Sequence, residues 1–136
     1  MVGLLIALSV VGFVISTYFT AVSYGWSRVD ARWIPAFCRL DDATCASIVF
    51  TPRARVFGPP NSLLGQCYYA AIIVGASLGA LSHPAWAMLY LGVSVVPVAL
   101  GIYLTYSLIF VTRVPCTLCF TSHAINAVIF GVLLMR

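Results

Sequence analysis

Residues 115–136 read PCTLCFTSHAINAVIFGVLLMR. No charge interrupts this stretch before Arg136, and about 20 apolar residues suffice for a helix to cross the hydrocarbon core of a bilayer. Pro115 sets the start, so Cys116-Thr117-Leu118-Cys119 forms the first turn of a membrane helix, at the membrane surface. Sulfur in that turn faces unpaired backbone N–H groups and the positive end of the helix dipole. This is a setting in which cysteines become nucleophilic. A C-x-x-C pair so placed reads as a redox pair, and the rest of the chain as the structure that brings reactants to it.

Working outward, the same logic yields the fold. The chain has 136 residues, of which 62% are hydrophobic and 7% charged, against about 25% charged in soluble domains. Eight of its ten charged residues lie between Arg28 and Arg55, and only Arg113 and Arg136 lie outside that interval. Three uncharged stretches remain, 1–27, 56–112 and 114–135. The middle one holds two spans, broken at Ser82-His83-Pro84. The expectation is an all-α integral membrane bundle of four transmembrane helices forming one domain over 1–136. Its spans are 2–24, 61–81, 84–111 and 116–135, with a long capping loop, 25–60, between the first two. The net charge of +4 comes from arginine alone. It fits membrane flanks and lipid head groups, and without a phosphate loop or basic helix nucleic acid is set aside.

The first run lacks a basic n-region and exceeds the 7–15 apolar residues of a signal-peptide core, so it reads as a retained helix. Ser9, Gly12 and Ser16 recur at helical spacing and mark a packing face, or are simply small residues in an apolar helix. Gly65, Gly75 and Gly79 suggest close packing of the second span. Asn61 or Ser62 stands at its N-cap, and Pro97 should kink the third. The loop contains apolar pieces, Trp33-Ile34-Pro35 and Ile48-Val49-Phe50, so it reads as a structured cap with a short helix near 44–50, capped by Asp41 or Asp42.

Cys38 and Cys45 lie in this loop. An even number of crossings separates it from the turn before Cys116, so both cysteine pairs face one compartment and can exchange disulfides. Four thiolates from Cys38, Cys45, Cys116 and Cys119 would also suit structural zinc. The loop spacing is wide for a zinc knuckle, and redox chemistry is preferred. A zinc-capped, non-enzymatic membrane assembly protein remains the rival class. Cys67 is expected to face neighbouring helices at membrane depth as a small apolar side chain. His123 follows Cys119 by four residues, on the same helix face, and Asn126 continues that polar face inward. A histidine within a span is a functional candidate, or else an interfacial residue bonded to a neighbour.

Cys38-x6-Cys45, the run Phe57-Gly58-Pro59-Pro60-Asn61-Ser62-Leu63-Leu64-Gly65, Pro115-Cys116-Thr117-Leu118-Cys119 and Thr121-Ser122-His123-Ala124-Ile125-Asn126 together resemble the vitamin K epoxide reductase family. The resemblance covers nearly the whole chain and implies a four-helix bundle around a quinone of the ubiquinone, menaquinone or vitamin K type. It implies that Cys119 contacts the quinone and that Cys116 exchanges with Cys45. It implies that Cys38 exchanges electrons with a thioredoxin-like protein and that Asn61 bonds a quinone oxygen. His123 stands where vertebrate members carry a tyrosine that also bonds a quinone oxygen, so the resemblance implies quinone binding by Asn61 and His123. The expectation is a prokaryotic-type member without a fused thioredoxin-like domain, served by a separate partner. It would reduce quinone in support of disulfide formation; vitamin K epoxide reduction is the alternative. The positive-inside rule would turn the arginine-rich loop to the cytoplasm, whereas stable disulfides form outside it. The expectation is an extracytoplasmic site, with a cytoplasmic-facing one as the alternative.

Overall fold

The computed structural model describes residues 1–26 and 48–136. The regular elements among them are all helical. They are α1 (Val2–Ser23), a 3-10 turn (Pro52–Arg55), α2 (Asn61–Ser77), a second 3-10 turn (Ala80–Ser82), α3 (Pro84–Tyr106) and α4 (Thr117–Leu134). A π-helical turn (Ser107–Val111) extends α3. Ile48 and Val49 are helical; the rest of the short helix expected near 44–50 lies outside the described residues, as do Trp33-Ile34-Pro35 and both candidate capping aspartates.

Three stretches are long and apolar enough to cross a membrane: Val2–Ser23, Pro84–Val111 and Thr117–Leu134. Helix α2 has 17 residues, which makes it about 26 Å long. The apolar run continues to Leu81, but Gly79 adopts a left-handed φ of 69° and ends the helical path. No atom lies within 4 Å of where a Cβ at Gly79 would stand. Its role is therefore a helix stop rather than close packing. Pro84 occupies the first turn of α3 behind an extended His83, where a missing N–H costs nothing.

Helices apolar on all sides cannot sort themselves by hydrophobicity, since lipid is as apolar as leucine; close packing and hydrogen bonds decide. Ser9, Gly12 and Ser16 are all buried, so this stripe is a packing face. A Cβ on Gly12 would run into the ring of Tyr69 from α2, and one on Gly65 would stand 2.9 Å from Ser16 Oγ. Thr20 Oγ1 donates to Ser62 Oγ at 3.0 Å, and Gln66 Nε2 to Thr17 Oγ1 at 2.9 Å. These contacts bind α1 along α2.

Helix α4 packs along α3 and against α1, whereas the backbones of α2 and α3 stay apart. Two tyrosines bridge that gap. Tyr68 O–H donates to Ser94 Oγ at 2.9 Å, and Tyr90 O–H to the Ala71 carbonyl at 3.2 Å. Gly75 makes room for the Tyr90 ring. The bundle is thus two helix pairs, closed along α1–α4 and spread along α2–α3. Few α3 residues are buried, Ser94 and Gly101 among them.

Candidate active site

The spread between α2 and α3 leaves a cavity of about 770 Å³, within the usual 300–1,000 Å³ of small-molecule sites. Its walls are mostly apolar, with Val93, Val96, Pro97 and Leu100 from α3 among them. Asn61, Cys119 and His123 all line it. Three side chains singled out in the sequence therefore share one space.

The C-x-x-C pair straddles the start of α4. Cys116 is the N-cap, in extended conformation behind Pro115. Phe120 N–H donates to the Cys116 carbonyl at 3.0 Å, the first bond of the helix. The N–H groups of Thr117, Leu118 and Cys119 therefore have no partner within α4. Cys116 is fully buried in the apolar core, while Cys119 is half-buried, a free thiol, and lines the cavity. One sulfur of the pair thus meets the cavity and the other sits behind it.

Asn61 is the first residue of α2, with Pro60 as the N-cap and no side-chain cap bond. The capping role expected of Asn61 is absent because its amide is engaged elsewhere. Its Nδ2 donates to the Arg53 carbonyl at 2.8 Å, and its Oδ1 accepts from Val56 N–H at 3.2 Å. One Nδ2 hydrogen remains for a ligand.

His123 packs against Gly101, where an added Cβ would stand 3.2 Å from Nδ1. Nδ1 is buried and has no hydrogen-bond partner among the described residues. Nε2 is then the ring nitrogen able to meet a ligand. The imidazole also borders a smaller groove between α3 and α4, lined by Gly101, Tyr106, Phe120 and Ala124 among others.

Sequence reasoning missed Tyr69 and Arg53. Tyr69, almost fully buried, donates to Asn126 Oδ1 at 2.6 Å and lies 3.2 Å from Ser122 Oγ. Tyr69, Ser122 and Asn126 all line the cavity and give it a polar wall. A tyrosine in an apolar helix facing a later asparagine was the available signal. Arg53 also lines the cavity, and its Nη1 donates to Ser107 Oγ at 2.7 Å. Cys67, expected among neighbouring helices, is exposed and lines the cavity. The gap between α2 and α3 leaves it no helix among the described residues to pack on.

Cys38 and Cys45 lie outside the described residues, so the four-thiolate zinc arrangement cannot be assembled from the described ones. The apolar walls, the remaining amide hydrogen of Asn61 and Nε2 of His123 suit a flat apolar ring bearing carbonyl oxygens. A family model described as the vitamin K epoxide reductase family matches residues 3–134.

Proposed function

Since the chain belongs to the vitamin K epoxide reductase family and is a multi-pass membrane oxidoreductase, we propose that it carries electrons from a thioredoxin-like protein to a quinone. The observation that carries this reading is the presence of Cys119, Asn61 and His123 on one apolar cavity at the start of α4. We assign α2 as a fourth span, completed by the turn at Ala80–Ser82, so that a single domain surrounds the cavity.

The relay begins when a partner thiolate attacks the Cys38–Cys45 disulfide at Cys38 and releases Cys45 as a thiolate. The partner's second thiol resolves the mixed disulfide and the partner leaves oxidised. Cys45 attacks Cys116 in the Cys116–Cys119 disulfide, and Cys119 departs as a thiolate into the cavity. Cys38 resolves the Cys45–Cys116 bond, which restores the loop disulfide. Unpaired N–H groups at the start of α4 stabilise the leaving sulfur. A bound quinone accepts two electrons and two protons and leaves as hydroquinone. Asn61 and His123 orient its oxygens and stabilise charge that develops there. Cys116 and Cys119 return to the disulfide. The net reaction turns partner dithiol and quinone into partner disulfide and hydroquinone.

The cysteines face the extracytoplasmic side, where disulfides persist. A membrane-impermeant maleimide should label a retained Cys38 on intact cells, and protection until lysis would reverse the orientation. Dithiol-dependent quinone reduction by the purified protein tests the activity itself. Cys116→Ala and Cys119→Ala should abolish it and Cys67→Ala should keep most of it. Stoichiometric zinc with no quinone reduction would favour the assembly-protein reading.

A further inference from the structure

We propose that Arg53 is a positioning residue for Asn61, anchored at the cavity wall by Ser107. The proposal rests on the reading that Asn61 meets a quinone oxygen. At the first position of a helix an asparagine amide has several open rotamers. Here both of its polar atoms are held by the turn before it, Nδ2 by the Arg53 carbonyl and Oδ1 by Val56 N–H. One amide hydrogen is thereby fixed in place and the other is left for the cavity.

The 3-10 turn Pro52–Arg55 that holds the amide has no buried residue of its own. It must be anchored from outside. Arg55 Nη2 donates to Ser23 Oγ at 3.2 Å, tying the turn to the end of α1. Arg53 Nη1 donates to Ser107 Oγ at 2.7 Å, tying it to the end of α3. Ser107 is buried and opens the π-helical turn. Its carbonyl is already occupied by Thr112, whose N–H donates at 2.8 Å and whose hydroxyl donates at 3.1 Å. The hydroxyl oxygen is what remains for the guanidinium.

A continuous chain results: Ser107 Oγ, the Arg53 guanidinium, the Arg53 carbonyl and the Asn61 amide. It connects the ends of α2 and α3, whose backbones are otherwise apart, and all three residues line the cavity. A π-turn frequently marks a functional position; here its first residue supplies the anchor.

Ser107→Ala removes only the acceptor. It should raise KM for quinone roughly tenfold, the scale of one lost charge-assisted hydrogen bond. kcat at saturating quinone should fall as well, because Asn61 also stabilises charge that develops on the ring oxygen, whereas kcat/KM for the dithiol donor should not change. Ser107→Thr keeps the hydroxyl and should restore the wild-type KM. Backbone hydrogen exchange at Val56, which needs no turnover, should speed up in Ser107→Ala and not in Ser107→Thr. Unchanged Val56 exchange in Ser107→Ala would overturn the anchor. Equal losses in both substrates, or failure of Ser107→Thr to rescue, would reduce Ser107 to a general structural role and overturn it as well. A wild-type protein that reduces no quinone would instead sink the proposed reaction, while Val56 exchange still decides the anchor.

Discussion

Tyr69 O–H donates to Asn126 Oδ1 at 2.6 Å and so ties α2 to α4 along the wall of the cavity. The ring that carries this hydroxyl lies on Gly12 of α1. One side chain thus fixes the relative positions of three helices, in a bundle whose apolar surfaces cannot do so.

Loss of that hydroxyl should be felt in stability. Tyr69→Phe leaves a buried acceptor on Asn126 without its donor, at a cost of about 1 kcal/mol for helices in a membrane setting. Gly12→Ala drives a methyl group into the ring, and overpacking of this kind costs about 1–3 kcal/mol. Unfolding in detergent should rank wild type above Tyr69→Phe and Tyr69→Phe above Gly12→Ala. A Gly12→Ala variant as stable as wild type would show that the ring does not sit there.

Gly101 and His123 give a prediction that separates function from stability. An alanine Cβ at position 101 would stand 3.2 Å from Nδ1 and 3.4 Å from the histidine Cβ and Cγ. The imidazole must then shift by a few tenths of an ångström. The gain in helix propensity, up to about 1 kcal/mol, offsets much of the strain. Gly101→Ala should leave the unfolding midpoint nearly unchanged and raise quinone KM roughly threefold through misplacement of the ring. In a His123→Ala background the same substitution should have no effect on KM, which a double-mutant cycle reads directly.

Cys67 lines the same cavity as Cys119, so a ligand that fills the cavity must shield it. At a quinone concentration ten times its Kd, alkylation of Cys67 by a small maleimide should slow about tenfold. Cys67→Ala should keep most activity because no step needs this sulfur. Equal alkylation rates with and without quinone would put the ligand elsewhere.

The clustering of charge between Arg28 and Arg55 and the apolar runs around it made a membrane bundle legible from sequence. The position of Cys116 and Cys119 at the start of α4 was legible too, because Pro115 and the uncharged run after it define that start. The i+4 spacing of Cys119 and His123 anticipated one shared helix face, and both residues line the cavity. What the sequence did not carry is which face of each helix meets lipid, which meets a neighbour and which meets the cavity. All three are apolar, so periodicity says little; Cys67 was misread for this reason. Glycine carries two meanings, close approach at Gly12 and Gly75 and a left-handed turn at Gly79, and only the backbone separates them. The amide of Asn61 looked like a cap because N-cap and N1 differ by one residue, and its bonds to Arg53 and Val56 depend on the path of a loop.

The central claim is that electrons leave the protein from Cys119 into a quinone held in the α2–α3 cavity. Single-turnover reaction of the reduced Cys38→Ala/Cys45→Ala protein, in which no loop thiol can re-reduce the product disulfide, with one equivalent of quinone and no external dithiol, tests it most directly. One hydroquinone should form per chain, with peptide mapping showing a new Cys116–Cys119 disulfide, and Cys119→Ala should form none in this way. Hydroquinone formed at the wild-type rate by Cys119→Ala, or with those two thiols still reduced, would contradict it.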